Sequence, residues 1–450
     1  MKKKVFTLRS NMLPYVLMVW LCFVISCQKT GDGPPIDFPN ESGNVAIDWY
    51  KLQLKIILNA NPAISPPMVS RIFGYVGIGL YESTRCGLRN SVSLSTYLYQ
   101  MPGMPAIEHK AYSSSISANA ALANLVKVMY PNLTAQNITS IDSLEQVYND
   151  KLKPKIESTV FDRSQTYGHA IAEAVFNWST TDNDNMSNVG YVPPVFDGAW
   201  IPTPPAFAPP LAPYLGNDRP FLQDDTHGVA PPVVFPYSEV PSSDFYKMVK
   251  DVYDVSLALT TEQKSIASFW NDVGIKKGYT PPGHSISILN QILEQKQASL
   301  FLASEAYAKI GIALRDAVIL VWRSKFTYNL IRPVSYIRKV IDPNWLPFLV
   351  TPPHPEYPAA HAFVTSAAMQ TLTGIFGAHY PVVDNTYNFL GFSPRSYGSL
   401  NDAGTESGMS RRFGGIHYLP SIQTGLKMGR ELGVRVANLQ LTKHKDDKDD

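Results

Sequence analysis

Three short stretches carry the residue types that chemistry at an anion would need. Lys325-Phe326-Thr327-Tyr328-Asn329-Leu330-Ile331-Arg332-Pro333 sets two cations seven residues apart. On a helix that spacing puts both on one face, two turns apart. Pro333 disfavours helical geometry at Arg332, which places that guanidinium at a helix end. Two cations aligned this way repel each other unless an anion lies between them. Residues 352–361, Pro-Pro-His-Pro-Glu-Tyr-Pro-Ala-Ala-His, pack four prolines, two histidines and one carboxylate ahead of a helix-like run over 362–375. Proline is preorganised for a first helical turn. The stretch therefore reads as a rigid approach to a helix start, whose unpaired N–H groups and partial positive charge hold tetrahedral oxyanions. Ser410-Arg411-Arg412-Phe413-Gly414-Gly415-Ile416-His417 adds an arginine, two glycines that let backbone approach a ligand, and a histidine. Taken singly, each stretch is equally compatible with solvated charges or a structural histidine.

The elements that must position these residues read as helices. Ile47, Tyr50, Leu52, Ile56 and Ile57 recur at helical spacing from residue 45 onward. Further helices are expected over 66–83, 115–129, 141–152 and 164–178, then 243–257, 261–269, one continuous run from 286 through 310 to 330, and 422–441. A loop is expected over 381–409. Strand-like alternation is scarce. Between residues 193 and 241 lie 13 of the chain's 36 prolines, too dense for a helix or a central strand. This segment reads as a surface crossover joining two helical halves. The expected fold is all-α, two helical bundles forming one large domain over 44–442, with the chemistry in the half spanning 304–440.

Composition bounds the rest. With 45% hydrophobic and 17% charged residues, the 450-residue chain is a folded protein with a large core. Residues 1–26 form a basic start and a short apolar run ending in Val24-Ile25-Ser26-Cys27, which resembles a bacterial lipoprotein signal with Cys27 as the lipidated residue. Residues 27–43 then read as a flexible tether, and 443–450 as a charged, disordered tail. Removing Lys2, Lys3, Lys4 and Arg9 with the signal takes the formal charge from +2 to −2. No basic field for nucleic acid remains. Cys22 leaves with the signal and Cys27 takes the lipid, so Cys86 has no partner for an intramolecular disulfide. The expected location is outside the cytoplasm, periplasmic or cell-surface, with membrane contact only through the lipid.

In order and internal spacing, Lys-x6-Arg-Pro, then Pro-x-x-His at a helix start, then Ser-Arg-x3-Gly-x-His resembles the signature of the vanadium-dependent haloperoxidases, which share it with acid phosphatases of the phosphatidic-acid-phosphatase superfamily. Those motifs span 325–417. Phe269-Trp270-Asn271-Asp272 and Thr280-Pro281-Pro282-Gly283-His284 also look like the haloperoxidase side, with exported bacterial iodo- and bromoperoxidases the nearest likeness. The resemblance implies a two-bundle helical fold, vanadate as cofactor, and hydrogen peroxide and halide as substrates. It implies that His417 ligates vanadium through a neutral imidazole. Lys325, Arg332 and Arg411 would neutralise vanadate oxygens, and the amide at Ala360 would bind another. His361 would shuttle protons, Lys325 would polarise peroxide, and Asp272 would orient His361. His354 occupies the position where chloroperoxidases carry an aromatic hydrocarbon side chain and algal bromoperoxidases a histidine, which implies iodide and bromide rather than chloride. Trp322, one turn before Lys325, would line the halide entrance.

The chain departs from the pattern in three places. Ala359 replaces the usual serine, removing a hydroxyl donor whose hydrogen bond contributes roughly 0.5–1.5 kcal/mol. Ala360 replaces a glycine. Ser421 stands where the phosphatases carry an aspartate that makes the second histidine nucleophilic, which argues against phosphatase activity. Two other readings compete with the haloperoxidase: an acid phosphatase on the same scaffold, and a carbohydrate-binding lipoprotein. The latter leaves the spacing of Lys325, Arg332, Arg411 and the histidines unexplained.

Overall fold

A computed structural model describes residues 41–88, 90–223, 230–232, 235–273 and 277–442. The signal, the lipid-site cysteine, the tether up to residue 40 and the tail 443–450 lie outside the described residues. The described residues start at 41, inside the expected tether, and 41–43 are tied to the helices. The Glu41 carboxylate accepts from the amides of Ser114 (3.2 Å) and Ser115 (2.6 Å), and Gly43 N–H donates to the Ala298 carbonyl at 2.8 Å.

Thirteen α-helices make up the described chain: α1 (Asn44–Asn59), α2 (Pro66–Thr84), α3 (Ser114–Met129), α4 (Ala135–Leu152), α5 (Ser158–Ser179), α6 (Asp244–Leu257), α7 (Thr261–Phe269), α8 (Pro281–Gln295), α9 (Leu300–Tyr328), α10 (Pro333–Val340), α11 (Ala360–Phe376), α12 (Leu400–Phe413) and α13 (Leu419–Ala437). Local chemistry sets many of their starts. Ser65, Ser113, Ser243, Thr280, Ser299 and Ser399 each accept from a first-turn amide, and Thr134 and Thr260 head capping boxes with Asn137 and Gln263.

The expected all-α class is found, with α9 as the element both bundles share. Of its 29 residues 22 are buried, as expected for a helix that is apolar nearly all round. It packs against α2 on one side and α11 and α13 on the other. Gly77 of α2 and Gly311 of α9 lie where a Cβ would come within 2.5 Å of a carbonyl oxygen on the facing helix, so the two backbones touch. One apolar cluster runs from Val45 through α9 to Leu441, which makes the two bundles a single folding unit.

Two expected segments differ. The run expected from 286 to 330 is broken at 296–299, where Gln297 takes a positive φ of 48° and Ser299 caps the start of α9. The loop expected over 381–409 contains a short antiparallel hairpin, β1 (Val382–Asp384) with β2 (Arg395–Tyr397), and the start of α12. The described parts of the proline-dense crossover are pinned to the helices. Asp316 of α9 accepts from the amides of Phe221 (2.7 Å) and Leu222 (2.8 Å), Trp200 N–H donates to Asn329 at 2.6 Å, and Leu211 N–H donates to Pro353 at 2.9 Å. The crossover therefore reaches the proline stretch itself.

The closest helix pair in the second bundle is α11 against α13. Gly425, Gly429 and Gly433, one turn apart, turn a bare stripe of α13 onto the backbone of α11. At Gly429 a methyl would sit 2.1 Å from Ser366 Oγ and 2.3 Å from the Phe363 carbonyl. Gly429→Ala is expected to lower stability by about 1–3 kcal/mol through overpacking. Thermal unfolding measures it, and an unchanged midpoint would show that the helices separate freely.

Candidate active site

Prolines 352, 353, 355 and 358 supply carbonyls but no N–H, so the proline stretch brings more acceptors than donors into the interior. Donors come from the end of α9, from Arg332 beyond it and from the Leu211 amide of the crossover. Lys325, fully buried on the last turn of α9, donates from Nζ to the carbonyls of Pro355 (2.8 Å), Glu356 (2.9 Å) and Pro358 (2.7 Å). Arg332 Nε donates to the His354 carbonyl at 2.8 Å, and the Tyr357 hydroxyl to the Pro231 carbonyl at 2.7 Å. Burial, and then the neighbouring Arg332, hold the Lys325 pKa well below the usual lysine range, with Glu356 opposing.

This differs from expectation in two ways. Lys325 and Arg332 do not share a helix, because Asn329 turns left-handed (φ 46°, ψ 41°) and ends α9, while Arg332, extended ahead of Pro333, caps the start of α10. All three ammonium protons of Lys325 are also directed at backbone carbonyls, so the side chain braces the proline stretch from the end of α9.

Arg332 stands between two histidines. Its Nη1 donates to His417 Nε2 (3.1 Å) and the Ile416 carbonyl (2.8 Å), and its Nη2 to His354 Nδ1 (2.9 Å). A guanidinium only donates, so both ring nitrogens are acceptors there. His417 therefore carries its proton on Nδ1, which donates to Glu356 Oε1 at 2.8 Å, and His354 carries its proton on Nε2. The Glu356 carboxylate, also bonded by the Tyr418 amide at 3.0 Å, fixes the ring of His417. Glu356 thus fills the place left open at Ser421, and Ser421 no longer counts against phosphatase chemistry. Sequence reading missed Glu356, although it is the one carboxylate among the four prolines. Its partner lies 61 residues on, and only folding pairs them.

On the other wall, His361 sits in the first turn of α11 with about 19% of its side chain exposed. Its Nε2 lies 3.3 Å from Arg411 Nη1 and 3.7 Å from Asp272 Oδ2. Arg411 is held by Ser410 Oγ (2.9 Å) and by the Trp270 carbonyl. Asp272 takes a positive φ of 54° in the turn after α7, and its Oδ2 has no partner among the described residues. Asp272 Oδ2 and His361 Nε2 thus lie near each other but beyond hydrogen-bond distance. Ala359 lies in a small apolar cluster with Ala362, Ile422 and Leu426, whereas Ala360 faces the cavity at a helix start without a side-chain cap.

A cavity of about 300 Å³ joins the two walls. His354, His361, His417, Arg411 and Asp272 form its polar side, and Trp322, Val350 and Leu211 are among its apolar lining. Trp322 lies 5.0 Å from the ring of His354 and is held by the Leu211 carbonyl. Burial, reinforced by the arginines and Lys325, keeps all three histidines well below the ordinary imidazole pKa. Burial also lowers Arg332 and Arg411 to about 10, which leaves both charged at neutral pH. The site is a ring of neutral imidazoles in a positive field, and that donor set fits a metal-centred oxyanion bound through His417 Nε2.

Burial raises Glu356 to about 7, with Lys325 and Arg332 opposing, so it is a carboxylate above that pH and protonated below it. Nitrogen-15 NMR of the wild type at pH 8 is expected to show His417 protonated on Nδ1 and bare on Nε2. In Glu356→Gln the amide oxygen takes the place that His417 Nδ1–H and the Tyr418 amide bond, so the tautomer is kept and only the negative charge behind the ring is lost. The difference from wild type should narrow as pH falls below about 7, where Glu356 is itself protonated, and a ring proton on Nε2 in the wild type at pH 8 would refute the assignment.

A family model described as the second helical-bundle domain of VCPO matches residues 305–343 and 339–445. No curated protein matches the chain. Among solved structures, one described as the first bacterial vanadium-dependent iodoperoxidase is 31% identical, covers 91% of this chain and 99% of its own, and superposes with a TM-score of 0.82. The holo form of a bacterial vanadium-dependent chloroperoxidase is 18% identical, covers 89% of this chain and 98% of its own, and shares the fold at a TM-score of 0.65. Identity, coverage and fold together show that this chain belongs to the vanadium-dependent haloperoxidases.

Proposed function

We propose that the protein oxidises iodide and bromide, in preference to chloride, with hydrogen peroxide and vanadate as cofactor. The reaction is halide plus peroxide plus a proton giving hypohalous acid and water; halide loses two electrons and peroxide gains them. The observation that carries this reading is His417, a neutral imidazole whose Nε2 acceptor is fixed by Glu356 behind it and faced by Arg332. His417 would hold the vanadium, with Arg411, Arg332 and the first-turn amides of α11 around the oxygens. When bound, vanadate supplies Lewis acidity that makes peroxide electrophilic without a change in metal oxidation state.

The rest is work for this chain's own groups. Arg332, which faces His417 Nε2, would keep its positive charge beside the oxyanion that this nitrogen would hold. His361, neutral at rest, takes the proton from incoming peroxide on Nε2, and Asp272 Oδ2 stabilises the resulting imidazolium. The same proton then returns to the departing oxygen, and solvent supplies the one further proton that makes it water. Lys325 adds charge from the end of α9. His354 offers a neutral Nε2–H beside Trp322 on the halide side. Iodide and bromide are easier to oxidise than chloride and need a less strongly activated peroxide, which fits a site lacking the hydroxyl that Ala359 replaces.

A second activity is favoured by the Glu356–His417 pair, which equips the vanadate-free protein with an oriented imidazole for phosphomonoester hydrolysis. One experiment separates the two. Adding vanadate is expected to switch on iodide oxidation, with bromide next and chloride slowest, and to inhibit any phosphate release. His417→Ala abolishes the oxidation, and Glu356→Gln weakens vanadate binding about 10- to 100-fold. Phosphatase activity without any vanadate-dependent halide oxidation would overturn the main reading. The N-terminal segment supports export and lipid attachment at Cys27, so palmitate labelling is expected in cells and lost in Cys27→Ala. Labelling that persists would refute that assignment.

A further inference from the structure

Behind Asp272 lies a group that this mechanism leaves unused. His284, on the first turn of α8, is fully buried. Its Nδ1 is 2.8 Å from Asp272 Oδ1 and its Nε2 is 2.8 Å from Asp384 Oδ2 on β1. Its ring stacks on the Trp270 indole, with centroids 4.3 Å apart and planes 25° from parallel. An ionised carboxylate only accepts. If His284 carried a single proton, one ring lone pair would face a carboxylate oxygen at hydrogen-bond distance in a dry interior, so both nitrogens are protonated. The remaining bonds are also assigned: Asp384 Oδ1 accepts from the Thr386 amide at 2.9 Å, and Asp272 Oδ1 also accepts from the Tyr387 hydroxyl. That leaves Asp272 Oδ2 as the one oxygen of the array without a partner among the described residues, facing His361 Nε2.

We propose that His284 and Asp384 are positioning residues for the proton carrier: a buried imidazolium clamped between two aspartates holds one oxygen of Asp272 aimed at His361. The inference rests on the reading of His361 as proton carrier and adds the device behind it. A merely structural clamp would need hydrogen bonds but no charge. Here burial alone would deprotonate the ring, and Asp272 and Asp384 outweigh it, lifting His284 to about 10. The same cation holds Asp384 below the ordinary carboxylate range against its own burial. The charged and titratable groups around His361 and Asp272 are Arg411 on α12, His284 on α8, Tyr387, and Lys325 and Arg332 farther off.

The test uses vanadate-free protein first, so that its failure is separate from failure of the peroxidase reading. In wild type at pH 7, nitrogen-15 NMR should show both His284 nitrogens protonated. In His284→Gln, which keeps polar contacts but loses the charge, vanadate-loaded turnover should fall about tenfold or more, and His284→Lys, which restores the charge, should recover it. In Asp384→Asn, which retains the Asp272 contact, His284 should lose its proton at a lower pH than in wild type. A singly protonated His284 at pH 7 overturns the proposal even if every variant fails to fold. So does full turnover in His284→Gln, or a His284→Lys that turns over no faster than His284→Gln.

Discussion

A buried proline-rich stretch is short of hydrogen-bond donors by construction, and the three bonds from Lys325 to Pro355, Glu356 and Pro358 are the interaction on which the site depends. A buried carbonyl left without a donor costs on the order of 1–3 kcal/mol, and one ammonium satisfies three. Because Lys325 lies in the last turn of the 29-residue helix that runs through the shared core, the same bonds tie that helix to the proline stretch. His354 and Glu356 lie inside that clamped stretch and His361 comes directly after it. Their positions are therefore set by backbone, and no flexible side-chain arrangement is required to hold them.

The clamp also sets the electrostatics. Lys325 and Arg332 gather on one side of the cavity and Arg411 on the other, and all three are buried. Burial first, and then these cations, lower His354, His361 and His417 and keep those imidazoles neutral. Glu356 and Asp272 offset part of this charge, each on one side, and each is committed to a histidine. The arrangement is poised for a multiply charged anion, which would satisfy all the cations at once. It is a poor site for a bare cation.

Helix packing brings the two walls together. The glycine stripe of α13 lets that helix lie on the backbone of α11, and α12 closes against both. This brings His417, which precedes α13, to the start of α11 and sets Arg411 of α12 beside His361. The hairpin after α11 then delivers Asp384 to the far side of His284. Each close approach relies on a residue without a side chain or on a turn with a left-handed residue, and both tolerate little change.

By itself the sequence determined the helical class, most helix spans, and the three motifs that hold His361, Arg411 and His417. These depend on local chemistry: caps, prolines, apolar spacing and residue order. It also pointed to Asp272, through a short motif after α7. Only the tertiary structure decided what those residues face. Glu356 was visible as a lone carboxylate, but its partner His417 could not be inferred from Ser421, because a carboxylate can reach a ring from any element that folds against it. Lys325 read as a cation for the oxyanion, yet the unpaired carbonyls of the proline stretch claim all its protons, a demand that exists only once that stretch is buried. His284 and Asp384 are 100 residues apart, and their pairing depends on a hairpin that the sequence pattern had left as loop.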